Sequence, residues 1–193
     1  MTQQDVINEA LSLIYEKTGI VFNPENVITD YNDNTFRRKT NIGVYHRGND
    51  KVYIRPHYVE DWTDRYDDRI ARHHQFYNQE YKVKMQEGIY NIYTEDEYVA
   101  LMEDICKSYG PHRAIIHEIG HWVHDWYFNN KPMYVPEAPR GHASLNHSEN
   151  FATAFQEFVQ GDLDPNSKRY KRMYRIITKE LPETEYWKTH NVT

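Results

Sequence analysis

Two histidines stand four positions apart at His117 and His121, and a carboxylate, Glu118, directly follows the first. On an α-helix, side chains at i and i+4 lie one above the other, so both imidazoles can reach a single metal ion. Imidazole suits zinc, and a catalytic zinc site takes three protein ligands while its fourth position stays open to water. The ion lowers the pKa of that water towards neutrality, and a carboxylate beside it can take the proton. The spacing therefore offers two ligands and a general base for metal-assisted hydrolysis. It also demands a third ligand from elsewhere in the chain.

The flanking residues predict that the pair stands on a buried helix from about 111 to 128. Pro111 follows Gly110 and suits a first helical turn. Ile115, Ile119, Trp122 and Trp126 make an apolar stripe that Ile116, Val123 and Tyr127 widen. Burying two histidines and a carboxylate on such a helix is costly unless they are paired or metal-bound, which weighs against ordinary core histidines.

A second helix is expected from Ser148, a candidate cap, with Phe151, Ala154, Phe155 and Phe158 along one side and Gly161 at its end. Glu149 in its first turn would complete a His-His-Glu ligand set. His142 and His147 in the connecting loop compete for the same role. His124 points roughly as His121 does, but three ligands from one straight helix do not readily surround an ion.

The run His117-Glu118-Ile119-Gly120-His121-Trp122-Val123-His124-Asp125 resembles the active-site helix of the gluzincins, a group of zinc metallopeptidases. The second segment, with Glu149, Ala152, Ala154 and Phe155, resembles more narrowly the third-ligand helix of the catalytic domain of anthrax lethal factor and its bacterial and phage relatives. The resemblance implies that His117, His121 and Glu149 hold Zn2+, that Glu118 is the general base, and that Asp125 steadies the ligands from behind. It also implies a mostly helical, zincin-like α+β fold with a small hairpin or sheet above the active-site helix. In such folds an edge strand of that sheet pairs with extended substrate.

The chain departs from the pattern in two places. The linker between His121 and Glu149 is shorter, and the tyrosine expected seven positions before the glutamate is His142 here. A hydrogen-bond donor near the oxyanion is expected of this chemistry, and His142 as an imidazolium or Tyr134 from the same loop could supply it. The metzincin pattern does not fit, because its glycine and third histidine would fall at His124 and Tyr127.

The remaining elements must position these groups. Thr2 and Asp5 suggest a capped first helix through Val6, Ala10, Leu13 and Ile14 that stops at Gly19 and packs as a lid or support. Residues 42–47 and 51–56, joined by Gly48-Asn49-Asp50, read as a hairpin and as the place for peptide binding by strand addition. A long polar helix is expected over 64–86, where the adjacent His73 and His74 make a poor chelate. Thr94 with Glu97 caps another, whose apolar face is Val99, Leu101, Met102 and Ile105. Residues 165–180 close the chain as a helix, with Lys168, Arg169, Lys171, Arg172 and Arg175 read as a solvated face.

At 193 residues the chain suits one domain, 1–193, with one core. A net charge of −6 argues against a nucleic-acid partner. The single Cys106 cannot form an internal disulfide, which fits a reducing compartment. Neither a secretory leader nor a membrane span is legible, so a cytoplasmic location in a bacterium or phage-infected host is expected. The expected function is a zinc-dependent endopeptidase acting on polypeptide. The alternatives are a zinc-bearing bacterial or phage binding module without turnover and a cell-wall amidase.

Overall fold

Helix α1 (Gln3–Thr18) begins at a reciprocal cap, in which Asp5 N–H donates to Thr2 Oγ1 at 3.2 Å and Thr2 N–H donates to Asp5 Oδ2 at 2.7 Å. It ends at Gly19, whose φ of 73° is left-handed backbone that a residue without Cβ adopts freely. Val6, Ile7, Ala10 and Ile14 are buried along its inner side. The structure is a computed structural model that describes residues 2–29, 35, 43–55, 66–109, 112–139, 143 and 146–190. The chain forms two compact units, one of Met1–Glu60 with His112–Thr193 and one of Asp61–Pro111, where length and composition suggest one domain.

The first unit holds a three-stranded sheet of order β1-β3-β2, made of β1 (Val27–Thr29), β2 (Gly43–His46) and β3 (Lys51–Ile54). Strands β2 and β3 are the expected hairpin, paired antiparallel from Gly43↔Ile54 to His46↔Lys51. Strand β1 was not legible: it is three residues long and pairs parallel to β3, Val27↔Val52 to Thr29↔Ile54. The central strand turns Val52 and Ile54 into the core, both fully buried, by the two-residue alternation of a strand.

One helix packs beneath this sheet, and a second packs along the first. Helix α5 (Arg113–Trp126) touches β2 and β3, and it lies along α6 (His147–Gln160). Ile115, Ile116, Ile119 and Val123 of α5 are wholly buried, as are Phe151, Ala154, Phe155 and Val159 of α6. Trp126 departs from its expected stripe and is 38% exposed, because its indole N–H donates to Asp50 Oδ1 on the hairpin at 2.7 Å. Helix α6 is capped by Asn146, whose Oδ1 accepts from Glu149 N–H at 3.0 Å, rather than by Ser148. Gly161, at φ 79°, ends it as expected.

Gly120 lets these helices touch. A Cβ there would lie 3.0 Å from Ala152 Cα and 3.2 Å from Ala152 O, so the backbones meet where neither carries a large side chain. A glycine in mid-helix costs about 0.5–1 kcal/mol relative to alanine, a cost this close packing must offset.

Helix α7 (Lys168–Arg175), a π-helical turn (Ile176–Glu180) and α8 (Glu185–His190) follow. The solvated basic face expected on α7 needs correction, since Arg169 is only 3% exposed. Its Nε donates to Glu157 Oε2 at 2.6 Å, and one of its amino groups donates to Asn150 Oδ1 at 2.7 Å. Asn150 in turn donates to Val135 O at 2.8 Å. A guanidinium is thus the bracket between α7, α6 and the loop before α6, and the cost of burying it is offset by charge and hydrogen bonds together.

The second unit is built from α2 (Tyr66–Phe76), a π-helical segment (Tyr77–Tyr81), α3 (Lys82–Gln86) and α4 (Glu95–Tyr109). Thr94 and Glu97 form the expected cap of α4, with Glu97 Oε2 accepting from Thr94 N–H at 2.8 Å. Tyr77, Tyr98 and Val99 are buried together, with Phe76, Tyr81 and Met102 against them. Leu101 lies off that stripe and stays 38% exposed. His74 Nδ1 lies 2.7 Å from Glu95 Oε1, a pairing within this unit. Among the described residues no helix is long and apolar enough to cross a membrane.

Arg169→Ala leaves Glu157 buried without its cation and is expected to cost about 3–5 kcal/mol, read from the urea midpoint. A double replacement of Arg169 and Glu157 by methionine is expected to cost less than that single change, because no lone charge remains.

Candidate metal centre

The register of α5 and α6 brings three donor side chains to one point. His117 Nε2 lies 3.2 Å from Glu149 Oε2, and His121 Nε2 lies 3.4 Å from the same oxygen. The two imidazole rings are 5.0 Å apart between centres and nearly perpendicular, at 84°. Within 4.8 Å of one another, these three ligand atoms are the one group of metal-holding character found among the described residues. Ligands about 2.0–2.1 Å from a tetrahedral zinc stand about 3.3 Å from each other, so the spacing suits a single ion of that size.

Each side chain is fixed by the element that carries it. His117 and His121 share one face of α5 through their four-residue spacing. Glu149 sits in the first turn of α6, where the Asn146 cap holds its backbone N–H and the helix end favours a negative charge. His121 is oriented from behind, its Nδ1 lying 3.0 Å from Ser148 Oγ, which leaves Nε2 to face Glu149. Ser148 therefore contacts the candidate centre, where its residue type and position in the sequence suggest only a helix cap.

The electrostatics follow from this crowding. Burial, the largest effect, holds the pKa of His117 below its ordinary value despite the neighbouring carboxylates. Burial also pulls on His121, but its hydrogen bond to Glu149 and the charges of Glu118 and Glu149 together leave its pKa raised. Glu118 thus acts electrically on both histidines while standing outside their ligand triangle. Its side chain lies under β2: a Cβ built on Gly43 would fall 2.8 Å from Glu118 Cγ and 3.1 Å from Glu118 Oε1.

Two other histidines are engaged outside this group, and Tyr134 is turned to solvent. His124 is fully buried; its Nε2–H donates to Lys131 O at 2.8 Å and its ring stacks on Phe151 at 4.7 Å, so it is a core residue. His147 packs its ring edge-on to His124 at 5.6 Å rather than joining the three ligands. Tyr134 is 77% exposed, and it is its carbonyl, not its hydroxyl, that is bonded, accepting from Arg172 Nε at 3.2 Å. His142 lies outside the described residues.

Asp125 is engaged by the hairpin and by the turn after α5. Its Oδ2 accepts from Tyr45 O–H at 3.1 Å, and its Oδ1 accepts from Asn130 Nδ2 at 2.8 Å and pairs with Arg47 at 2.5 Å. Both oxygens serve the hairpin and the end of α5. Burial first, then the Asp125 charge, pushes the Tyr45 hydroxyl well above its ordinary pKa and keeps it a donor.

Compared with known proteins, the chain matches no family model, no curated protein and no solved structure.

Two outcomes test the centre. Titrated with zinc against a chromophoric chelator, His117→Ala and His121→Ala are expected to lose the ion, while Ser148→Ala keeps it about 10–100-fold more weakly. Retention of parental affinity by Glu149→Ala, with loss in His147→Ala, would reverse the ligand assignment. For His124, burial lowers the folded-state pKa below the ordinary value of 6.5. The unfolded chain then takes up the proton first, so stability present above pH 6.5 is lost as the pH falls towards the folded value. Denaturation between pH 7 and pH 5 is expected to have a shallower pH slope in His124→Gln than in the parent.

Proposed function

We propose that this protein is a zinc-dependent peptidase of the gluzincin kind, in which His117, His121 and Glu149 hold the metal and Glu118 is the general base. The observation that carries the reading is the convergence of two imidazole nitrogens and one carboxylate oxygen beside a second carboxylate that takes no part in the triangle. Two nitrogens with one oxygen are a donor set that zinc accepts with one coordination position left open. When bound, zinc would supply a Lewis acid that acidifies water and polarises a carbonyl.

The chain's own groups do the rest. Glu118 takes the proton from the attacking water and returns it to the leaving amine, so one carboxylate serves as base and then as acid. With Nδ1–H donated to Ser148 Oγ, His121 presents the lone pair of Nε2 to the metal. Strand β2 lies over Glu118 and is an edge of the sheet among the described residues, which suits it to pair with an extended peptide laid across the site. A small sheet touching the active-site helix through β2 and β3 is also what supports a zincin-like assignment of the fold.

The test is digestion of a denatured proteome by the purified protein, with new peptide N-termini read by mass spectrometry. Cleavages are expected that vanish with a chelator, and Glu118→Gln is expected to keep zinc while losing about 10²–10⁴-fold in rate. A zinc-loaded protein that makes no cuts would move the assignment to a binding module or to an amidase acting on a non-protein amide.

A further inference from the structure

We propose that Gly43 is a positioning residue for Glu118: the absence of a side chain at this point of β2 creates the slot in which the carboxylate stands. The inference rests on the reading of Glu118 as the base. Its evidence is steric. A Cβ at position 43 would lie 2.8 Å from Glu118 Cγ and 2.9 Å from Ile54 Cδ1, closer than non-bonded carbons approach, and 3.1 Å from Glu118 Oε1. Glycine inside a strand weakens it, and its usual justification is close approach by another group. Here the approaching group is the carboxylate assigned to the chemistry.

The strand cannot simply draw back to make room. Gly43 is in register with Ile54, and the three pairs that follow hold β2 to β3. Further along, Tyr45 O–H and Arg47 grip Asp125, and Trp126 N–H grips Asp50 in the turn. Asp125 lies seven residues after Glu118 on α5, about two turns or 10 Å along the axis. The hairpin is therefore anchored to the same helix that carries the base, and its height above Glu118 is set by that anchor. Helix α5 is equally fixed, since Ile115, Ile119 and Val123 are wholly buried. With strand and helix both held, a methyl group at 43 must displace the side chains it meets, the tip of Ile54 and the Glu118 carboxylate arm. The Glu118 arm is then expelled from beside His117 and His121.

A Cβ at position 43 meets none of the three grouped donors, and Glu118 is not one of them, so substitution at 43 separates metal binding from base placement. The decisive experiment is a double-mutant cycle of Gly43→Ala and Glu118→Ala, read first by thermal unfolding of the zinc-free protein. Gly43→Ala is expected to lower Tm in the parent and to lose at least half of that effect when Glu118 is already alanine. Zinc affinity of Gly43→Ala should stay within threefold of the parent. On a peptide found by the proteome digestion, kcat should fall at least tenfold with KM within twofold, and the acid limb of the pH profile should move. An equal Tm change with and without the Glu118 side chain overturns the proposal, whatever the activity. If Gly43→Ala does not fold, recovery of folding in the double variant supports the proposal and continued failure overturns it. Absence of turnover in the parent defeats the peptidase reading alone, because the stability cycle still decides whether Gly43 makes the slot for Glu118.

Discussion

Backbone contact between α5 and α6 at Gly120 and Ala152 is the constraint on which the site depends. Two of the proposed ligands come from one helix and the third from the other, so their meeting point is set by how near the axes can come. A side chain at Gly120 would press on the backbone of Ala152 and on the ring of Phe155, 3.3 Å away, and backbone yields far less readily than a side-chain tip. The same approach lets Phe151 and Phe155 close over without residual exposure. Burying an aromatic side chain of this kind is worth about 1.5–3 kcal/mol, enough to offset the helix cost of the glycine. Packing and ligand geometry are thus one requirement, met by one small residue.

Around that contact the polar groups divide into two sets with different work. His117, His121 and Glu149 turn inward to one another, and burial opposes charging of the two histidines while the neighbouring carboxylates favour it. Arg169 forms a separate bracket along α6, tying Asn150 of its first turn to Glu157 about two turns further on. Asn150 adjoins Glu149, so the bracket fixes the backbone from which the third ligand projects without touching the ligand triangle. A buried guanidinium is a demanding way to secure a helix, but its several directed bonds hold orientation as apolar packing alone does not.

Local signals made much of this readable. The four-residue histidine spacing, the cap at Thr2 and Asp5, and the glycines at 19 and 161 each act within a single element, and the helices begin and end close to where those signals place them. What was illegible depends on residues far apart in sequence. Strand β1 has only three residues and needs β3 to exist, Arg169 looks like any basic surface residue until Glu157 is beside it, and Gly43 reads as part of an ordinary hairpin until Glu118 is underneath. Ser148 was read for the commonest use of its residue type, helix capping, but the neighbouring Asn146 holds that position and frees the hydroxyl for His121.

Asp125 illustrates why a motif position does not carry its role with it. Four residues after His121, it is on the ligand-bearing side of α5 by spacing, yet an acceptor serves whichever donors reach it, and here three donors from Tyr45, Arg47 and Asn130 do. Once its two oxygens are engaged by these groups, its charge ties the hairpin to the helix. Because the same hairpin places Gly43 over Glu118, Asp125 bears on the proposed base through the strand. Its influence on the proposed chemistry then falls on the base and the substrate ledge, while the histidines are steadied by Ser148 and by each other's packing.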